Sequence, residues 1–259
     1  MNKALKHTLL GLCGGLLVIC IACAFIAGRH ARKGFICEQL EVVILDSLEN
    51  SFVSESDIKT ILDKGMVRYI GKPIDSLDLV KMEKVIDDRS AVLKSHAYVT
   101  KDGTLHIDVT QRRPVVRFQK KDGGFYADAE GYIFQLQSSY SSHVQIVDGH
   151  IPLAANSGYK GEITNPDEKE WFNDVMKLIN YMENSRMWKD KIVQINVAEN
   201  GDMTLIPREG KERFIFGYPE DIQEKFGKME LYYTAVIPEK GQDTYSRIDL
   251  RYKGQLVCK

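Results

Sequence analysis

The stretch AYVTKDGTLHIDVTQRRPVVRF, Ala97 to Phe118, decides how this chain is read. Ala97 to Thr110 is rich in β-branched and aromatic residues and breaks at Asp102-Gly103. That pair suits the left-handed backbone of a tight turn, so the segment predicts a hairpin. Gln111-Arg112-Arg113-Pro114 follows. Proline has no amide to give to a ladder and sits where a strand leaves one sheet for another. A domain boundary is therefore placed between Arg113 and Pro114.

Working back from the hairpin, Gln39 to Leu45 (QLEVVIL) reads as a strand. Ser54-Glu55-Ser56-Asp57 has the form of a capping box, and Ile58, Ile61 and Leu62 recur on one helical face before Gly65 ends it. Pro73 breaks the next loop. Ser76 is expected to cap a second helix reaching about Asp88, with Leu79, Met82, Val85 and Ile86 as its buried stripe. The order β-α-α-β-β over residues 37–113 predicts two helices on one face of a three-stranded sheet.

Working forward, short strands are expected at Val115–Gln119, Gly124–Ala127, Tyr132–Leu136 and His143–Val147, with turns at Asp122-Gly123 and Glu130-Gly131. Asn165-Pro166-Asp167-Glu168 opens a helix, with Asn165 as cap, Pro166 at the first position and Glu168 closing a capping box. Its apolar face is Trp171, Val175, Leu178 and Met182. Strands follow at Ile192–Val197, Met203–Ile206 and Arg213–Phe216. A helix after Pro219 carries Ile222, Phe226, Met229 and Tyr233 on one side. Tyr245–Tyr252 and Gln255–Lys259 close the chain as two strands about a Lys253-Gly254 turn. Residues 114–259 are thus expected to form a larger, mostly antiparallel β domain with two helices, and the whole chain is of the α+β class.

The amino-terminal end is of another kind. Thr8 to Ala27 (TLLGLCGGLLVICIACAFIA) holds no charge, and at about 1.5 Å rise per residue it spans about 30 Å, the thickness of a bilayer's hydrocarbon core. A single transmembrane helix is expected over residues 8–28, behind a tail of residues 1–7. A cleaved signal peptide competes, through Ala22-Cys23-Ala24, but would leave an apolar Phe25-Ile26-Ala27 stub. Lys3 and Lys6 precede the run and Arg29, Arg32 and Lys33 follow it, so charge bias alone does not fix the orientation. The rest of the chain is mildly acidic, with an overall net charge of −1, and carries no electrostatic footprint for nucleic acid.

Of the five cysteines, Cys13, Cys20 and Cys23 lie in the apolar run, leaving Cys37 and Cys258 in the body as either two free thiols or a bridge between its ends. The histidines show no spacing of a helical zinc site; His96 and His106 are placed to face each other across the hairpin. No nucleophile elbow, P-loop or dinucleotide fingerprint is present, and no cofactor or metal is expected. Asp128 and Glu130, two residues apart beside a turn, are the one carboxylate pair with a conceivable catalytic reading. They support a membrane-anchored or secreted cell-wall hydrolase or glycan-binding protein as the alternative function. Solvated turn acids are the plainer account.

Read in this order, the chain resembles the FtsQ/DivIB family of bacterial cell-division proteins. The small domain ending in VTQRRPVVRF resembles that family's POTRA domain and its Arg-x-Pro-type exit, with Gln111 where an acid is common. GFYADAEGYIF, Gly124 to Phe134, is similar to its D-x-x-G hairpin through Asp128 and Gly131. YSRIDLRYKGQLVCK, Tyr245 to Lys259, is similar to its closing strand and hairpin. The resemblance implies a non-enzymatic scaffold with a short cytoplasmic tail, one inner-membrane helix and a periplasmic body. Such a protein joins the division septum and binds FtsB and FtsL. It also implies that Arg251 and Tyr252 lie at the partner-binding end. Gln255, Leu256, Val257 and Cys258 then form a terminal edge strand open to pairing with a partner segment. On this reading Val257→Pro is expected to weaken partner binding while sparing the fold, and the POTRA-like domain is a further partner site.

Overall fold

The structure is a computed structural model, and it describes residues 15–25, 35–65, 68–156 and 158–259. Of the expected membrane segment, residues 15–25 form a helix (α1), and the remainder lies outside the described residues. Leu16, Leu17, Val18, Ile19, Ile21 and Phe25 of α1 are 61–65 % exposed. No helix among the described residues is long and apolar enough to cross a membrane. The chain divides into two compact units, the second comprising Leu48–Phe52 and Gln111–Lys259.

In the first unit the order is β1 (Gln39–Ile44), α2 (Glu55–Lys64), a 3-10 turn at Ile74–Ser76, α3 (Leu79–Asp87), β2 (Val92–Val99) and β3 (Thr104–Gln111). The sheet order is β1-β3-β2, with β1 and β3 parallel. Ser54 and Asp57 form the full reciprocal capping box of α2. Ser76 does not cap α3. It lies in the 3-10 turn, and the Asp78 carboxylate accepts from the Lys81 amide instead. Ile58, Ile61 and Leu62 of α2 and Met82 and Ile86 of α3 close over Val42, Leu105, Ile107 and Val109 of the sheet. Alternation along β3 buries every second residue, as the period of a strand requires. The outer amides of β2 are met by α3: Ser95 donates to Asp87 at 2.7 Å and Ala97 to Glu83 at 2.8 Å. His96 and His106 share a face with Tyr98 between them, its ring stacked on His106 at 5.0 Å and 5.7 Å from His96.

The second unit is built on one nine-stranded sheet. Its strands are β4 (Pro114–Lys120), β5 (Gly123–Asp128), β6 (Ile133–Gln135), β7 (Gln145–Gly149), β8 (Ile192–Val197), β9 (Met203–Pro207), β10 (Arg213–Gly217), β11 (Arg247–Asp249) and β12 (Val257–Cys258). The spatial order is β12-β11-β10-β9-β8-β7-β4-β5-β6. Five of the neighbouring pairs are antiparallel and three parallel. Two of the parallel pairs arise from helical crossovers: α4 (Pro166–Glu183) joins β7 to β8, and α5 (Ile222–Leu231) lies between β10 and β11. Two helices were expected here. The second continues through a π-helical turn, Tyr232–Val236, into a short α6, Ile237–Lys240.

Asn165 caps α4 by accepting from the Asp167 and Glu168 amides. Glu168 does not complete a capping box. Its carboxylate accepts from the Ala154 amide at 3.0 Å and so ties down the loop before the helix. Trp171, Phe172, Val175, Leu178, Ile179 and Met182 pack on Val116, Phe118, Phe125, Val147 and Ile195 of the sheet. Phe226, Met229 and Tyr232 do the same over Phe214, Phe216 and Leu250. Both helices therefore cover one face; on the opposite face Phe52, with Tyr140 against it, covers Tyr126 and Phe134 of β5 and β6, and the face is open at the β10–β12 end, where Arg213 and Arg247 are exposed. Burying a single such side chain is worth about 1.5–3 kcal/mol, so these two stripes dominate the stability of the unit.

Candidate functional site

The closing residues sit at one end of the large sheet, and their conformation is set by α5. β11 is shorter than the strand predicted over Tyr245–Tyr252, because residues 250–254 are drawn into a turn. The Lys228 ammonium, 9 % exposed, donates to the Leu250 and Tyr252 carbonyls at 3.0 and 2.8 Å and pairs with Glu224 at 2.9 Å. Glu224 also accepts from the Gly254 amide at 3.2 Å. This i,i+4 pair thus fastens the turn to the helix. Gln255 is exposed and donates its amide back to the Tyr252 carbonyl.

Arg251 and Tyr252 leave this turn in different states. The Arg251 guanidinium grips Asp249 in a fork, Nε to Oδ1 at 2.9 Å and Nη2 to Oδ2 at 2.7 Å, and reaches Asp202 at 2.8 Å. Hydrogen bonds from Arg251 hold the Asp249 carboxyl below the usual carboxylate range, and the same bonds raise the guanidinium. The expected pairing of Arg251 with a partner carboxylate is thus matched here by two carboxylates of its own chain. The arginine stem needs Gly217, whose φ is +74° and where an added Cβ would lie 2.9 Å from Arg251 Cγ. Tyr252, by contrast, is 52 % exposed and holds a large amphipathic surface outward.

β12 pairs with β11 on its inner side only. Arg247 and Lys259 exchange both main-chain bonds, at 3.0 and 2.9 Å. Hydrogen-bonded and non-bonded pairs alternate along an antiparallel ladder. Asp249 and Val257 are therefore the next bonded pair, while Cys258, opposite Ile248, turns its amide and carbonyl away from the sheet. Among the described residues nothing bonds to those two Cys258 groups. The Val257 amide faces inward, which corrects the expectation for Val257→Pro: that change would cut the strand from its own sheet. Leu256 and Cys258 pack against the core and Val257 lies on the other face, as the period of two demands. Burial raises the Cys258 thiol. Cys37, fully buried, is also free, so neither is bridged.

The opposite edge of the sheet is closed. Ile133 of β6 exchanges two main-chain bonds with Gly161, each 2.9 Å, and the Gln135 side chain donates to the Gly158 carbonyl. One sheet thus has a covered edge and an uncovered one, and the uncovered one is β12.

Of the pair Asp128 and Glu130, Asp128 is bound into the fold. Asp128 is 3 % exposed and both its oxygens are taken, one by the Arg112 guanidinium at 2.9 Å and one by the Tyr132 amide at 2.8 Å. Arg112 in turn lies 3.5 Å from the centre of the Tyr132 ring. Burial pushes the Asp128 carboxyl up, against the pull of these donors. Gly131 closes the turn at φ +84°, a region costly to other residues. The D-x-x-G segment is a structural turn locked to the Arg112 exit.

Sequence reasoning missed Lys228, Glu224, Asp249 and Asp202 as the supports of this edge. The Glu224/Lys228 spacing was visible, but an i,i+4 ion pair on a helix usually marks a solvated face.

Residues 35–110 match the POTRA-like domain, which sets the class: a POTRA-like module ahead of a larger mixed-sheet domain. Residues 113–259 match the FtsQ/DivIB, C-terminal related domain. That match covers more than half of the chain, and the chain belongs to the FtsQ/DivIB family, a family of non-enzymatic cell-division scaffolds. No curated protein matches the chain.

Proposed function

We propose that this chain is a single-pass scaffold of the bacterial divisome. Residues 8–28 anchor it in the inner membrane, and its body lies in the periplasm at the division septum. There it binds FtsB and FtsL, linking early assembly to septal wall synthesis. The anchor is supported by the uncharged run Thr8–Ala27 and by the uncovered apolar side chains of α1. The observation that carries the binding mode is the outward-facing amide and carbonyl of Cys258 on an edge that nothing among the described residues covers. A partner segment adds there as a further strand, main-chain bonds supplying affinity and Tyr252 a large contact surface. The POTRA-like domain is a second partner site.

The test is co-purification of the full-length chain with co-expressed FtsB and FtsL. Cys258→Pro removes the outward donor and leaves the inner ladder intact, so it is expected to lose the partners with normal circular dichroism. Retention of both partners by a folded Cys258→Pro chain would refute binding through this edge.

A further inference from the structure

Ladder register aligns three cations on neighbouring strands at the open edge. Arg213 of β10 stands opposite Arg247 of β11, and Arg247 stands opposite Lys259, which follows β12. Side chains directly opposite one another in a ladder share a face. Phe214, Ile248 and Cys258, one residue along, point to the core, so the three cations stand on the open face, and all three are exposed. They find little compensation. Arg213 donates to the Lys211 and Glu212 carbonyls. Arg247 lies 3.9 Å from Asp249, whose carboxylate is already held by Arg251. Among the described residues no carboxylate pairs with Arg213 or Lys259. Further into the sheet the same row continues as Ile206 and Gln194, without charge. The positive charge is thus concentrated on the last strands before the edge.

Like charges directly opposite in a ladder disfavour the isolated sheet. The row ends at Lys259, next to the unpaired main-chain groups of Cys258, which a polypeptide pairs and a membrane or nucleic acid does not. We infer that the strand adding to β12 carries an acidic side chain on the open face opposite Lys259, and an apolar one two positions away, opposite Val257. The acid would complete the row Arg213–Arg247–Lys259 from cross-strand distance, ~4.5–5.5 Å. This inference rests on the edge-strand reading above and adds the chemistry that selects the partner.

The test uses the full-length chain in detergent and two fluorescent nine-residue peptides of alternating Val and Thr. The peptides differ only in a central Glu or Gln in place of one Val, which keeps a Val two positions away on the same face. The Glu peptide is expected to bind about tenfold more tightly at low salt, and the difference to shrink near about 0.5 M salt. Combining Arg213→Gln, Arg247→Gln and Lys259→Gln, all at exposed positions, should abolish the difference and leave Gln-peptide binding in place. Equal binding of the two peptides, unchanged in the triple variant, would overturn the acidic requirement and leave the edge reading standing. Binding of neither peptide, together with FtsB and FtsL retained by Cys258→Pro, would remove the edge reading and this inference with it. Phosphatidylglycerol vesicles that bind the wild type and not the triple variant, with no peptide discrimination, would assign the row to a membrane surface and overturn the proposal.

Discussion

Asp128 and Arg251 show what a charged residue near a motif can mean. Both read as groups available to a ligand, one as a catalytic acid and one as a partner contact. Both are instead satisfied within the chain, Asp128 by Arg112 and the Tyr132 amide, Arg251 by Asp249 and Asp202. The Asp128–Arg112 pair is deeply buried, with side-chain exposures of 4 % and 14 %. Removing one partner of such a pair leaves the other desolvated and alone. Asp128→Ala is therefore expected to lower the unfolding free energy by about 3–5 kcal/mol, read from urea denaturation. Asp128→Asn keeps an acceptor for the Tyr132 amide and should lose less. Equal, small losses in both variants would show that the turn is held by its backbone alone.

The helices of both units were readable because their signals are local. Ser54-Glu55-Ser56-Asp57 names its cap, and the stripes Ile58/Ile61/Leu62 and Trp171/Val175/Leu178/Met182 name their buried faces. Strand pairing was less legible, because register is decided by partners far away in sequence. The parallel pairs β7–β8 and β10–β11 were implicit in the order strand-helix-strand. The inward direction of the Val257 amide was not, since it depends on which residue opposes Arg247. The edge at Gln255–Lys259 was visible as a terminal strand, but its support by α5 was not, because only folding brings Lys228 to the carbonyls of Leu250 and Tyr252. Lys228→Met keeps the length of the side chain and removes three hydrogen-bond donors. It is expected to speed hydrogen exchange of the Val257 and Lys259 amides at least about tenfold, with the α4 amides unchanged, because only the local opening of the turn becomes easier. Uniform acceleration across both elements would mean that Lys228 supports the whole unit and not the edge.

At the scale of the molecule, exposed sheet edges are a hazard, and this chain treats them unequally. In the first unit, carboxylates of α3 occupy the outer amides of β2 at Ser95 and Ala97. In the second, the Gly158–Gly161 segment lies along β6. β12 has no such cover among the described residues. An unguarded strand edge invites pairing with any extended chain, so in the nine-stranded sheet the β12 end is the one available to a partner. The argument can be tested by uncovering the wrong edge. Gly161 stands at φ +119° and gives its amide to the Ile133 carbonyl. Proline cannot reach that φ and has no amide, so Gly161→Pro should lift the cover from β6 without touching β12. The variant is expected to self-associate through the freed β6 edge, read as a larger mass by light scattering of the detergent-solubilised chain, while still binding FtsB and FtsL. Adding Gln135→Pro, which strips an outward donor from β6 at a half-buried position, should return the mass to that of the parent. A Gly161→Pro chain that keeps the parent mass would show that the Gly158–Gly161 segment is not what guards this edge, and the contrast between a closed and an open end would lose its force.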